Sequence, residues 1–319
     1  MPATSPCAPR TSSTRRRAEA EPGYNARPPA AACAARGPFP PTARAAMTDH
    51  TAPPTLRDHL LSFGIRPAAS GGAPQAGLTP KDAKRLAQLG KALARARPRQ
   101  ADVVAFYEFV SRPDIAALIH SGKADAIRAT GEFVAARLAG TRILDVGCNI
   151  GYLTSWYARC RPAAEVWGID ASPSSIDVAR RFATRLGLAN LRYASSDGQR
   201  YQPTAAFDTL VDTQGMIDAD IDPALLRRMF GWLQPEGRLL CVPALGTLAR
   251  FESFLDRLDF DAVAVLSLDW LPFVAQGERG VYPALVMAHA AGASGLPRAA
   301  LVDAYQRGVL DFRRGRSLA

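Results

Sequence analysis

The stretch "ILDVGCNIGYLT", residues 143–154, decides the fold. An apolar run ends on Asp145, Gly147 and Gly151 flank Asn149, and the chain then turns into a helical pattern. Gly147 allows a sharp turn and a close backbone approach, Asn149 tolerates unusual backbone angles, and Gly151 lets the helix pack near the strand. In an open parallel sheet a ligand binds beyond the carboxyl end of such a strand. The free N–H groups at the helix start suit a carboxylate or a phosphate. Asp170 ends the next strand-like run at roughly the 20-residue offset of an acid that grips ribose hydroxyls.

Outward from this stretch, strands and helices alternate. "AEVWGID", a helix over 174–187, "LRYASSD", "FDTLVDT", a helix over 223–233 and "GRLLCVPAL" follow a brief helix at 152–160. This alternation predicts a parallel sheet with helices on both faces. After a helix at 247–259, "DAVAVLSLDWL" and "YPALVMAHA" have no helix between them and should form an antiparallel hairpin joined by "PFVAQGERGV". A helix over 297–313 closes the chain. The fold class expected is therefore α/β, a Rossmann-like doubly wound sheet, mostly parallel, with a terminal antiparallel hairpin and a preceding helical cap.

That cap is read over 79–140. Thr79 is an N-cap and Pro80 the first helical residue. A second helical stretch breaks at Pro113, and a third ends on Gly140. Phe106, Tyr107, Phe109 and Phe133 read most simply as core packing. Residues 47–78 hold a short helix (55–64) and the linker "ASGGAPQAG"; 141–290 form the ligand-binding domain; 291–319 are a final helix and basic tail.

The motif is similar to motif I of the class I S-adenosylmethionine-dependent methyltransferases, E/D-x-G-x-G-x-G. Asp145, Gly147 and Gly151 match, and Asn149 replaces the middle glycine. The resemblance implies that the glycine loop meets the methionine part of S-adenosylmethionine, with Asp145 near its ammonium group. It further implies that Asp170 in "GIDAS" binds the ribose diol and that Asp197 in "SSDG", beside Gly198, sits near the adenine amino group. "LQPEGRLL" resembles the family's turn and strand after strand four. The implied cofactor-binding set is Asp145, Gly147, Cys148, Asn149, Gly151, Asp170, Ala171, Asp197, Gly198 and Thr213. No catalytic residue is assigned. The implied activity is methyl transfer to an O, N or C atom of a small organic acceptor.

Alternatives remain open. A catalytically inactive partner protein would keep the same fold. An NAD-dependent oxidoreductase would want G-x-G-x-x-G, and Asn149 and Tyr152 stand where its later glycines should be. Asp170 or Asp197 alone would read as a turn residue, and Cys148 as a loop residue placed by its backbone rather than a nucleophile.

Composition narrows the classes. The chain has 319 residues and 48% hydrophobic content, enough for one sizeable core. No run approaches the roughly 18 apolar residues of a spanning helix. Cys7, Cys33, Cys148, Cys160 and Cys241 form no C-x-x-C pair and fit free thiols in a reducing, cytoplasmic setting. Cys241 reads as a small buried hydrophobe. The net charge is +10, and seven arginines against Glu19 and Glu21 put +5 of it in the first 46 residues. A remainder at +5 does not argue for nucleic acid, and no basic-aromatic stripe marks RNA binding. Residues 1–46 cannot bury enough surface to fold; they read as a translation start misplaced ahead of Met47, as a disordered tail, or as an Arg-rich transit peptide.

No metal is expected. Pro223 and Met229 break an EF-hand reading of the acids at 212–222, and Thr213 stands where a metal-dependent catechol-type methyltransferase places an acid. His50, His59, His120 and His289 share no ligand spacing. His120 or His59 can serve as a base; the plainer reading of each is a surface or hydrogen-bonded histidine.

Overall fold

The computed structural model describes residues 54–66, 77–93, 99–275 and 277–316. The expected tail at 1–46 and most of the linker at 69–77 lie outside the described residues. Short apolar runs become β1 (Arg142–Val146), β2 (Glu165–Asp170), β3 (Leu191–Ser195), β4 (Phe207–Thr213) and β5 (Leu233–Val242). The hairpin adds β6 (Val263–Ala275) and β7 (Glu278–His289). The seven strands lie in the order β3-β2-β1-β4-β5-β7-β6, parallel except where β7 runs against β5 and β6.

Among the described residues ten α-helices accompany the sheet: α1 (Leu56–Ser62), α2 (Pro80–Leu93), α3 (Gln100–Val110), α4 (Pro113–Ser121), α5 (Ala124–Ala135), α6 (Tyr152–Cys160), α7 (Pro173–Arg185), α8 (Pro223–Phe230), α9 (Leu248–Leu255) and α10 (Arg298–Arg313). Their starts follow local chemistry. Thr79 Oγ1 accepts from the Asp82 amide at 3.1 Å. Ser172 caps α7, with Pro173 at its first position.

Successive residues of the central strands serve opposite cores, as period-two geometry requires. Ile143 and Val166 join Leu56, Phe133, Leu153 and Ile176 on one face. Leu144, Ile169 and Cys241 join Leu226, Phe251 and Tyr305 on the other. Strands buried on both sides carry the near-continuous apolar runs seen in the sequence. Cys241 is fully buried, as a small hydrophobe should be.

Two boundaries differ from expectation. The third helix of the expected cap stops at Ala135 rather than Gly140. Gly140 instead turns the chain into β1 at φ +73°, and Asp208 Oδ2 fixes that turn by accepting from the Thr141 and Arg142 amides at 2.6 and 2.9 Å. The expected cap also divides: α5 lies against β6 and α6, whereas α3 reaches α7 and packs on α2 and α4. Ser111, which caps the end of α3, pairs its hydroxyl with Ser174 at 3.1 Å.

The second difference is the hairpin. Much of the expected connection "PFVAQGERGV" is strand, with Pro272 opposite Val281 and Phe273 opposite Gly280. Pro272 is tolerated because β6 is the sheet edge, where a missing N–H need break no ladder. Pro283 lies beyond Leu285, the last residue of β7 paired with β5. The Phe273 ring packs at a tilt against that of Tyr282, centroids 4.4 Å apart, along the extension. Gly277 turns the chain at φ +83°.

Candidate functional site

The carboxyl ends of β1, β2 and β4 open onto a cavity of about 530 Å³. Its floor is the glycine loop. Gly147 takes φ +73° and Asn149 φ 51°, backbone angles that a glycine and an asparagine tolerate best. A Cβ on Gly147 would come within 2.9 Å of the Gly215 Cα, so two backbones meet there. Gly151 does not line the cavity. It takes φ +77°, and a Cβ there would strike the Tyr193 ring behind the loop, so its role is close helix packing.

Nine of the ten residues expected at the site line this cavity: Asp145, Gly147, Cys148, Asn149, Asp170, Ala171, Asp197, Gly198 and Thr213. Asp145 is buried, and its Oδ2 accepts from the Thr154 hydroxyl at 2.5 Å. No other hydrogen bond reaches its carboxyl among the described residues. Burial, with the charges of Asp212 and Asp170 adding, pushes its pKa up to about 7 against the pull of Thr154. Asp170 accepts from the Asn149 amide at 2.9 Å and the Ser172 amide at 2.8 Å. Burial raises its pKa, and those two amides hold the rise back. Asp197 is half-buried and accepts from the Arg200 amide at 2.9 Å. The Cys148 thiol is pushed well above its ordinary value by burial, which suits a packing residue and not a thiolate nucleophile.

Several residues at or behind the cavity wall were not legible as site residues. Asp212, next to last in β4, does not line the cavity and is fully buried. Its carboxylate accepts from the amides of Gly215, Met216 and Ile217 at 3.2, 2.8 and 3.3 Å. That clamp sets residues 214–216 in the cavity wall, with Gln214 at φ 57°. The signal was an acid at a strand end followed three residues later by glycine. Phe106 and Tyr107, expected as core, line the cavity from α3; Ile119 and Lys123 line it after them. Phe133 is core, as expected.

The two candidate bases part company. His59 is buried away from the cavity, its Nε2 2.8 Å from the Tyr152 carbonyl and 3.1 Å from the Ser155 hydroxyl. It is the satisfied histidine of the plainer reading. His120 faces the cavity instead, half-buried, with its ring 4.8 Å from that of Tyr152.

A glycine loop after β1, acids at the ends of the next strands and a parallel sheet finished by an antiparallel hairpin define one class of domain. Residues 143–237 match the family described as a methyltransferase domain. The chain is similar to the ubiquinone biosynthesis O-methyltransferase of Xanthomonas euvesicatoria, 36% identical over 123 residues, covering 37% of this chain and 48% of that protein. It is similar to phosphoethanolamine N-methyltransferase 1 of Arabidopsis thaliana, 28% identical over 126 residues, covering 38% of this chain and 26% of that protein. The chain thus spans about half or less of these relatives' lengths. Among solved structures, the mitomycin 7-O-methyltransferase MmcR aligns at a TM-score of 0.48 and 18% identity, covering 74% of this chain and 75% of that one. No described helix is long and apolar enough to cross a membrane.

The residues present fit the family's methyl donor. A buried carboxyl with one hydrogen bond, Asp145, is short of partners and suits an ammonium group. Asp170 keeps lone pairs for hydroxyls beyond its two amides.

Proposed function

We propose that this protein transfers the sulfonium methyl of S-adenosylmethionine to an O, N or C atom of a small organic acceptor. One observation carries the reading: Asp145, Asp170 and Asp197 surround a glycine loop within a single cavity. In it Asp145 holds the donor's ammonium, Asp170 the ribose diol, and Asp197 with Gly198 the adenine edge. Gly147, Cys148 and Asn149 pass beneath, Ala171 and Thr213 form walls, and Gly151 sets the loop on α6. When bound, the donor supplies an electrophilic methyl group. The protein's part is alignment and exclusion of water.

The names of the relatives span oxygen and nitrogen acceptors, which supports a small molecule and leaves the atom open. A cytoplasmic setting belongs to the same reading, supported by free thiols at Cys148, Cys160 and Cys241. The dinucleotide alternative is disfavoured, because the Tyr152 side chain would stand where that motif needs its third glycine.

Titration calorimetry of the full chain with S-adenosylhomocysteine tests the reading. Binding is expected, and Asp170→Ala should weaken it by about 1–3 kcal/mol, the cost of a lost charged hydrogen bond. A folded protein that binds no S-adenosylhomocysteine would overturn it.

A further inference from the structure

The donor cavity has a side branch, and any acceptor group assigned to it rests on the donor reading. The branch, about 40 Å³, shares Lys123, Ile127, Tyr152 and Gln214 with the main cavity and adds Thr130 of α5 and Tyr282 of β7. No acid lines it among the described residues. Lys123, Ile127 and Thr130 follow one face of α5, four and then three residues apart. Thr130 is buried at 5% exposure, yet its hydroxyl has no hydrogen-bond partner among the described residues. Thr184 on α7 donates to the Arg180 carbonyl four residues back at 3.0 Å, and Thr130 makes no such bond. The Lys123 ammonium, the Gln214 carboxamide and the Tyr282 hydroxyl also have no partner among the described residues.

A buried hydroxyl left unbonded is costly, and a ligand that accepts from it removes the cost. Gln214 stands at the junction with the main cavity, ahead of the amides that Asp212 clamps, in a left-handed backbone that glycine and asparagine adopt more readily. Lys123 opens α5, so the positive end of that helix adds to its charge. Asp125, the acid nearest to it in sequence, is engaged by Arg128 and by the Val274 amide, each at 2.7 Å, and lines neither cavity. Burial, with the Lys123 charge adding, lowers the His120 pKa to about 4, so that ring is neutral beside the ammonium. The branch therefore offers one positive charge and three uncharged donors in a space for a few heavy atoms. A carboxylate matches it, with a single negative charge and two oxygens that only accept.

We infer that this branch is a carboxylate subsite and that the acceptor carries the carboxylate. Lys123 pairs its charge, and Thr130, Tyr282 and Gln214 donate to its remaining lone pairs. The atom to be methylated then lies in the main cavity. The donor has a carboxylate too, on the same carbon as the ammonium that Asp145 would hold. Asp145 lines the main cavity and not the branch.

The test uses the full chain saturated with S-adenosylhomocysteine and matched probes: acetate and acetamide, benzoate and benzamide, phenylacetate and phenylacetamide. Ligand-observed NMR titration gives each affinity. At least one carboxylate should bind about tenfold or more tightly than its amide, the effect of one charge-assisted hydrogen bond. Lys123→Met should abolish that preference, and Thr130→Val, which keeps the side-chain volume, should reduce it about fivefold. Affinity for S-adenosylhomocysteine should stay within about twofold in both variants, as for an independent site, and shows that they fold. No carboxylate preferred over its amide, or a preference that survives Lys123→Met, would overturn the subsite. A loss of about tenfold or more in S-adenosylhomocysteine affinity in Lys123→Met, absent for decarboxylated S-adenosylhomocysteine, would give the branch to the donor's own carboxylate and overturn the acceptor assignment. Failure of the unaltered protein to bind S-adenosylhomocysteine would instead overturn the donor reading beneath it.

Discussion

Asp145 is a carboxyl group in a position that disfavours its own charge. Burial holds its pKa near 7, above its unfolded value of 3.8. A group raised in this way stabilises the fold fully below about pH 3.8, and that contribution is lost as pH rises through about 7. A ligand ammonium reverses the preference, so binding should expel a proton. Affinity for S-adenosylhomocysteine should therefore rise from about pH 6 to about pH 8 and level off beyond. Calorimetry in two buffers of different ionisation enthalpy would read the proton directly. Asp145→Asn keeps an acceptor for Thr154 and removes the buried charge. It should flatten the pH slope, weaken binding, and raise the unliganded Tm at about pH 8. A Tm that falls would argue that the carboxylate already has a partner in the free protein.

Among the elements, α1 shows how a short helix can be held by one side chain. Leu56 and Leu60 are buried, and between them His59 reaches the Tyr152 carbonyl and the Ser155 hydroxyl of α6. Burial, with Arg159 nearby, lowers the His59 pKa from 6.5 to about 4. Docking is then fully supported above about pH 6.5 and weakens as pH falls towards about 4, because the undocked imidazole takes up the proton first. Hydrogen exchange of α1 amides, corrected for intrinsic rates, should accelerate between pH 7 and about 4.5. His59→Gln should remove that dependence. Element type was legible in the sequence where a single period ruled: β1, α6 and the Thr79 cap fall where the pattern put them. It was not legible where punctuation misled. Pro272 and Gly280 look like a loop, and only the edge position of β6, a property of strand order, makes them strand. Gly140 looks like a helix end, but Asp208, distant in sequence, makes it a turn.

At the scale of the whole molecule, α10 is fixed by the sheet's edge. Tyr305 donates its hydroxyl to the Leu245 carbonyl at 2.6 Å, and its ring lies 5.0 Å from Trp270. Gly308 stands over that indole, where a Cβ would collide. Gly308→Ala should therefore destabilise by about 1–3 kcal/mol, the usual effect of overpacking. Gly90→Ala on α2, with nothing near its Cβ among the described residues, should stabilise by up to about 1 kcal/mol through helix propensity alone. Paired denaturant titrations would show the opposite signs. The site divides in a similar way. Asp145, Gly147, Asp170 and Asp197 could be read because their spacing follows from the strand–helix repeat. Phe106 and Tyr107 could not, because apolar residues at helical spacing look alike whether they face a core or a cavity. The two sides of the cavity also come from separate lengths of chain, α3 and α4 before the sheet and the strand-end loops within it. Such a plan is modular. On the proposed reading, replacing the first length would retune what receives the methyl group and leave in place the strand-end loops that would hold the donor.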